Sequence, residues 1–183
     1  MSLFAERGYE ATSTRAVAAA AGVSSALVTH HFGSKEGLRE AVEQEVLSTF
    51  DSALGELEAH SEPGRLMAAL GDLSVRLFAG DPVRRAYLRR ILLERSPTSS
   101  SLFAQLLNGA RREVSRLESV GNGLREGVDM TWAPYQILFV VLGPLLLEPA
   151  IQPNLDMGIF DPEVVRQRSL ANQRLLAAGL LKG

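Results

Sequence analysis

The stretch AGVSSALVTHHF, residues 21–32, decides the fold, because its glycine separates two short segments that both have helical spacing. Ala18 lies four residues before Gly22, and Val28 lies six residues after it. A small residue lets two helices cross closely, a glycine adopts the left-handed backbone of a tight turn, and an apolar residue anchors the second helix. This spacing predicts a helix-turn-helix.

Two histidines in the same stretch, His30 and His31, raise the alternative of a metal or catalytic site. The only other histidine is His60, no acidic residue lies between positions 11 and 35, and the chain has no cysteine. A metal site needs further ligands at workable spacing, and no G-x-S-x-G elbow or triad is visible. We therefore expect no metal, no cofactor and no catalytic residue, and we predict that the chain is not an enzyme.

The whole chain has helical periodicity. Apolar residues recur at three- and four-residue spacings through almost all of its 183 residues, which predicts an all-α fold. A net charge of −2 argues against a protein that coats nucleic acid. The most apolar run, residues 137–147, is shorter than the roughly 20 residues of a membrane span. We expect a cytoplasmic protein that does not enter the membrane.

Capping residues and prolines predict where the helices begin and end. Thr12 is the predicted cap of the second helix, Ser24 of the third and Ser34 of a long fourth helix. The predicted helices are one that ends near residue 7, then 13–21, 25–32, 35–59, 65–79, 82–95, 99–119, 133–148 and 162–181. We expect a turn at 121–123 and an irregular connector at 148–160.

The second helix of the motif has a polar face if Val28 and Phe32 point inward. That face carries small or polar side chains: Ser25, Ala26, Thr29 and His30. Small side chains let a helix approach closely, and hydroxyls donate to phosphates or base edges, so this helix is suited to a major groove. Lys35 adds a positive charge at the start of the fourth helix, where the helix dipole favours a phosphate.

The longer stretch ATSTRAVAAAAGVSSALVTHHFGSKEGL, residues 11–38, resembles the DNA-binding signature of the TetR family of bacterial transcriptional regulators. The resemblance covers about residues 3–46, and the remainder matches only in helix layout. It implies a three-helix DNA-binding head, a larger helical effector and dimerisation domain, and a homodimer whose last two helices pair as a four-helix bundle. The chain begins inside the family's first helix, so Met1 is expected to be a late start or a trimmed end.

Eight residues match family positions that contact DNA, and the resemblance implies that role for them: Thr12, Ser13, Ser24, Ser25, Ala26, Thr29, His30 and Lys35. Thr29 stands where the family usually has tyrosine, which removes an aromatic contact. The family's base preference is therefore not expected in this chain.

The C-terminal part contains a candidate effector pocket and a candidate dimer interface. The pocket candidates are aromatic or aliphatic: Phe78, Phe103, Leu107, Trp132, Tyr135 and Phe139. Burial in an ordinary core is the alternative for each of them. The helices at 134–148 and 162–181 carry more apolar surface than one small domain needs, which predicts a homodimer; packing within one subunit is the alternative.

These observations predict two domains: residues 1–40 form a helix-turn-helix DNA-binding domain, and residues 41–183 form a helical ligand-binding and dimerisation domain. The expected function is a homodimeric, ligand-responsive regulator, most simply a repressor, on a palindromic double-stranded DNA operator. The alternatives are a helical adaptor that binds protein and a small-molecule enzyme with a vestigial head. Loss of DNA binding by variants of the second helix separates the regulator from both.

Overall fold

The computed structural model describes residues 1–59, 75, 78–94, 96–119 and 123–181. Within these ranges the regular elements are helices, which confirms the all-α prediction, and a single isolated bridge joins Leu124 to Leu181. The helices are α1 (Ser2–Arg7), α2 (Thr14–Ala21), α3 (Ser25–Phe32), α4 (Lys35–Ala59), α5 (Pro82–Leu93), α6 (Pro97–Ser119), α7 (Ala133–Leu146), α8 (Glu148–Ile151), a 3₁₀ turn (Gln152–Asn154) and α9 (Pro162–Leu180).

Three serines cap the helices of the N-terminal head. The hydroxyl of each accepts a hydrogen bond at 3.1 Å from the backbone N–H three residues later, and the three are Ser13, Ser24 and Ser34. Such a bond satisfies one of the four N–H groups that a helix leaves unpaired at its start. The caps of α3 and α4 are those predicted from the sequence.

The predicted cap of α2, Thr12, is wrong by one position. The helix begins at Thr14 and is capped by Ser13. Thr12 is 1% exposed, and its hydroxyl donates to the carbonyl oxygen of Gly8 at 2.7 Å. This bond ties the start of α2 to the end of α1, so the threonine stabilises a buried corner of the head.

The turn between α2 and α3 has the predicted geometry. Gly22 lies at φ 68° and ψ 27°, in the left-handed region, and the N–H of Val23 returns to the carbonyl of Ala18 at 3.0 Å. Ala18 and Val28 are buried at 2% and 5% exposure. Of the two residues whose inward direction the polar face of α3 assumed, Val28 is buried but Phe32 is not. It is the last residue of α3, and its 39%-exposed ring lies beside the ring of His31.

The later helices follow the predictions with two exceptions. The carboxylate of Asp81 caps α5, and α9 follows Pro162 as expected, whereas α6 begins two residues before the predicted position. The connector after α7 is largely helical, because Pro149 and Pro153 occupy first-turn positions of α8 and the 3₁₀ turn, where a missing N–H costs little. Residues 75, 78 and 79 of the predicted helix 65–79 are described, and the rest of it lies outside the described residues, as do the first two residues of the predicted turn at 121–123.

The hydrophobic core continues from the N-terminal head, which contains α1–α3 and the start of α4, into the C-terminal body, which contains the rest of α4 and α5–α9. Buried residues of the first four helices and of α5, α6 and α7 form one hydrophobic cluster. The ring of Phe4 on α1 stacks on that of Tyr87 on α5 with a centroid distance of 6.4 Å. The predicted boundary near residue 40 lies inside α4, which continues without a break from head to body.

Within the described ranges, no single helix is long and apolar enough to cross a membrane. Taken together, α7 and the segment Glu148–Asn154 have the length and apolar composition of a membrane span, but the two parts are bent by 67° from each other.

We predict that Gly22→Ala lowers the free energy of unfolding by about 1–2 kcal/mol, because an L side chain is strained at a left-handed backbone. Gly179→Ala in α9 is the matched control: an added Cβ meets nothing within 4 Å at either position, but Gly179 has no positive φ. Urea denaturation measures both variants. Equal stability of the two would contradict a conformational role for Gly22.

Candidate nucleic-acid interface

Helix α3 exposes almost its whole surface. Val28 is the one buried residue among its eight, all of which are described, and it packs in the cluster that joins head and body. Thr29 and His30 are exposed, as is Ala26, while Ser25 is half-buried. One anchoring side chain therefore holds the helix and leaves its polar groups accessible to a ligand as large as DNA.

The exposed face of α3 is more apolar than predicted. Leu27 is 43% exposed and Phe32 39%, so both stand on the surface together with the histidine rings, whose centroids are 5.7 Å apart. Exposed apolar side chains on a helix that enters a groove are suited to contact thymine methyl groups. The periodicity of the sequence placed Leu27 only at the margin of this face.

The serines at the helix starts combine two roles. Ser13 and Ser24 are exposed, and each uses a hydroxyl lone pair to cap its helix. The hydroxyl proton is not needed for the cap, so it remains able to donate to a phosphate oxygen. The DNA contacts that the resemblance implies for Ser13 and Ser24 stay predictions.

Thr12 is buried at the corner between α1 and α2. Its hydroxyl donates inside the head, its N–H donates to the carbonyl of Tyr9 at 3.2 Å, and its side chain is almost wholly buried. Neither group faces solvent. The DNA contact that the resemblance implies for Thr12 stays a prediction, and in this structure both polar groups are used by the α1–α2 corner.

Lys35 is held in place by the segment that precedes α2. Its ammonium Nζ donates to the carbonyl oxygen of Glu10 at 3.3 Å and lies 4.2 Å from the centre of the Tyr9 ring. The Tyr9 hydroxyl donates to Glu36 Oε1 at 2.5 Å, which raises the pKa of Tyr9 to about 12 and lowers the pKa of Glu36. Tyr9 therefore stays neutral near pH 7, and the cation over its ring keeps its position at the start of α4.

A close approach holds α4 against the end of α3. A Cβ on Gly37 would lie 2.0 Å from the carbonyl oxygen of Phe32, so only glycine fits there. The first turn of α4, which carries Lys35, therefore packs closely against the end of α3. Sequence analysis also missed one cation of this head: Arg15 is exposed on the first turn of α2, where a charge two residues after the Ser13 cap was a readable signal.

The six pocket candidates do not form one group. The rings of Phe103, Trp132 and Phe139 each lie beside the ring of Tyr135, with centroid distances of 6.4, 5.5 and 6.3 Å. Trp132 and Phe139 are 54% and 57% exposed, so these two face outward, which contradicts an interior position for them. Phe78 lies elsewhere, with its ring 6.1 Å from that of Phe160.

Inside the body, Gln105 on α6 is a polar residue that the sequence did not single out. Its Oε1 atom is buried and has no hydrogen-bond partner in the described part of the chain. Buried acceptors are nearly always paired, so an orphan of this kind indicates a place for a ligand or a water molecule. It shares α6 with Phe103 and Leu107, two of the predicted pocket residues.

Comparisons with known proteins agree with this geometry. Residues 1–42 match the family model described as "Bacterial regulatory proteins, tetR family". The chain is 33% identical over 113 residues to the "HTH-type transcriptional regulatory protein RaaS" of Mycobacterium tuberculosis, a match that covers 62% of this chain and 48% of that protein. The chain therefore spans about half the length of this curated relative.

Two solved structures share the fold at low sequence identity. The transcriptional regulator FadR from Bacillus subtilis, in complex with stearoyl-CoA, has a TM-score of 0.75 and 16% identity, with 97% of this chain and 93% of that chain covered. AibR, in complex with isovaleryl coenzyme A and operator DNA, has a TM-score of 0.70 and 19% identity, with 97% and 91% covered.

Proposed function

We propose that the chain is a member of the TetR family of bacterial regulatory proteins, whose model matches residues 1–42, and that it is a homodimeric, ligand-responsive transcriptional regulator rather than an enzyme. Its simplest mode of action is repression at a palindromic operator in the bacterial cytoplasm. The observation that carries the proposal is the exposed face of α3, on which Thr29 and His30 point to solvent while Val28 anchors the helix.

We assign DNA binding to residues 1–40 and ligand binding and dimerisation to residues 41–183. In this arrangement α3 lies in the major groove, and two heads of a dimer read half-sites about 34 Å apart, one turn of DNA. Ala26 and Ser25 allow close approach, Thr29 and His30 contact base edges, and Lys35 contacts a phosphate. The unpaired N–H groups at the start of α4 add to the phosphate site.

DNA fragments retained by the full chain from a random library identify the operator. We predict that Thr29→Val and His30→Ala each weaken binding to the retained sequence by about 1–3 kcal/mol, because each loses a base-edge contact. Lys35→Gln weakens binding to all sequences and lowers the slope of log K against log salt by about 1 per subunit. Fluorescence anisotropy over a salt series measures these effects.

Arg111→Gln is the control for Lys35→Gln, since it removes one positive charge from an exposed position on α6. It is expected to leave the salt slope unchanged. If the full chain retains no preferred DNA sequence, or if Thr29→Val and His30→Ala bind DNA with unchanged affinity, the proposal of a DNA-binding regulator is contradicted.

The effector site is proposed beside α6 and α7. Gln105 Oε1 is a buried acceptor that has no partner among the described residues, and we propose it as the polar group of the site. Phe103 lies two positions before Gln105 and therefore on another side of α6, so its ring and that of Tyr135, with centroids 6.4 Å apart, form a separate aromatic pair. Small-molecule sites combine apolar walls with a few such polar groups. Because FadR and AibR were solved with acyl-CoA thioesters, a thioester of coenzyme A is the first class of effector to test.

We expect stearoyl-CoA or isovaleryl-CoA, titrated into the protein–operator complex, to release labelled DNA. Gln105→Leu is expected to weaken the effect about tenfold by removing the polar contact. Gln136→Leu, an exposed glutamine on α7, is the control that leaves it unchanged. The absence of any heat of binding for both thioesters in calorimetry would contradict this effector class.

The dimer interface is proposed on α7 and α9. Leu170 and Leu175 on α9 are 45% and 64% exposed, and Phe139 on α7 is 57% exposed. A group of large apolar side chains in solvent marks an interaction surface, and a second copy of the chain buries it symmetrically. The burial stabilises such a dimer by roughly 25 cal/mol per Å² of apolar area, less the costs of association.

We predict that Leu175→Glu shifts the protein from dimer to monomer, because it places a charge in the apolar interface. Leu93→Glu is the matched control, since Leu93 at the end of α5 is 65% exposed and lies on neither interface helix. Sedimentation equilibrium measures both. A dimer of unchanged affinity in the Leu175 variant would rule out this surface.

A further inference from the structure

The ring of Phe160, which directly precedes the cap of α9, contacts arginines from two helices. Phe160 is 5% exposed. The guanidinium carbon of Arg85 on α5 lies 4.4 Å from the centre of its ring, and that of Arg168 on α9 lies 5.4 Å from it. Arg89 lies one turn after Arg85 on the same helix. We call Arg85, Arg89 and Arg168 the arginine cluster.

Glu148, the first residue of α8, is the carboxylate that faces this cluster. Its Oε2 accepts a hydrogen bond from Nη1 of Arg89, and its Oε1 lies 3.7 Å from Nε of Arg85. Asp161 caps α9, and Glu163 pairs with an arginine outside the cluster. Within the described part of the chain, the cluster thus has three positive charges and one paired carboxylate, which leaves an excess of two positive charges.

Arg168 is the member of the cluster that has no carboxylate partner among the described residues. Its Nη1 donates to the carbonyl oxygen of Ile159 at 2.7 Å, and no other hydrogen bond or ion pair engages its guanidinium. Burial lowers the pKa of Arg168, although an arginine keeps its charge in proteins. Taking a charge partly out of water without a counterion is unfavourable, so an anion beside Arg168 is stabilising.

The unused donors of Arg168 are accessible. Among the described residues, the buried side-chain nitrogen and oxygen atoms that lack a partner are Arg84 Nε and Gln105 Oε1. Nε and Nη2 of Arg168 are therefore in contact with solvent. The Ile159 carbonyl and the Phe160 ring hold the guanidinium in place, so its ordering costs little entropy when a ligand binds.

A phosphate group has the charge and the shape that this arrangement requires. The planar guanidinium presents two parallel N–H groups to two oxygens of one phosphate. A phosphate monoester carries close to two negative charges at neutral pH, which equals the excess of the cluster, whereas a carboxylate carries one. The excess charge therefore favours phosphate over carboxylate.

We propose that the arginine cluster is a binding site for a phosphate group, in which Arg168 makes the paired hydrogen bonds and Arg85 and Arg89 supply further positive charge. The cluster is built on α5 and α9, whereas Gln105, the acceptor proposed for the effector, lies on α6. The proposal does not require DNA binding. The phosphate belongs to a small phosphorylated molecule or to the 3′-phosphate of a coenzyme A ligand, and the experiment separates these sources.

Calorimetry of the full chain without DNA, at constant ionic strength, tests the site with inorganic phosphate, coenzyme A and dephospho-coenzyme A. We expect saturable binding of inorganic phosphate and affinity for acetate that is lower by about tenfold or more. Tighter binding of coenzyme A than of dephospho-coenzyme A identifies the coenzyme as the source, and equal binding of the two identifies a small phosphorylated molecule. No saturable binding of either phosphate or coenzyme A, or equal affinity for acetate and phosphate, would overturn the proposal.

Two substitutions are expected to act in opposite directions. Arg168→Gln weakens phosphate binding about tenfold or more, because the paired hydrogen bonds are lost. Glu148→Gln strengthens it about threefold or more, because the competing carboxylate is removed. Arg174→Gln, which changes an exposed arginine on α9, is the matched control and leaves the affinity unchanged. A structural role of Arg168 alone does not predict stronger binding by the Glu148 variant.

Thermal unfolding without phosphate confirms that each variant is folded. Should Arg168→Gln fail to fold, Arg168→Lys replaces it, since an ammonium keeps the charge but lacks the planar fork and is expected to bind phosphate more weakly than arginine does. Unchanged phosphate affinity in the Arg168 variant, or weaker binding by Glu148→Gln, would contradict the site. If the wild-type chain selects no DNA sequence, the proposed function fails, but the phosphate titration still decides the role of the arginine cluster.

Discussion

The left-handed turn at Gly22 is the constraint on which the rest of the structure depends. At φ 68° Gly22 changes the direction of the chain within a few residues, so that α3 lies across α2. Ala18 and Val28 are then both buried in the core. Because one face of a two-turn helix then needs only Val28 as an anchor, Thr29 and His30 remain accessible. The chemistry proposed for the surface of α3 follows from this backbone geometry.

The head is not an independent unit in this structure. Its core continues through α4 and through the stacking of Phe4 on Tyr87 into the body, and the boundary expected near residue 40 falls within a continuous helix. A change in the body therefore has a direct physical route to the surface of α3. This continuity connects α3 with the proposed effector site and the proposed dimer surface, which the sequence suggested separately.

The candidate interface was only partly predictable. Thr12 and Thr29 are the same residue type within one motif, yet the first donates to Gly8 in a buried corner and the second faces solvent. Likewise Trp132 and Phe139 have the helical spacing of a pocket lining but are exposed. Helical periodicity gives the relative directions of side chains, whereas the packing of other helices decides which direction is the interior.

The sequence by itself determined the helix-turn-helix, the serine caps of α3 and α4 and the proline starts of α5 and α9, because these depend on interactions within three or four residues. Only the tertiary structure decided that Arg90 binds the end of α1, 85 residues away from Ala5, and that Glu43 and Thr98 meet 55 residues apart. Such pairs have no local signal in the sequence, since a hydrogen bond between distant residues exists only after the helices that carry them have packed.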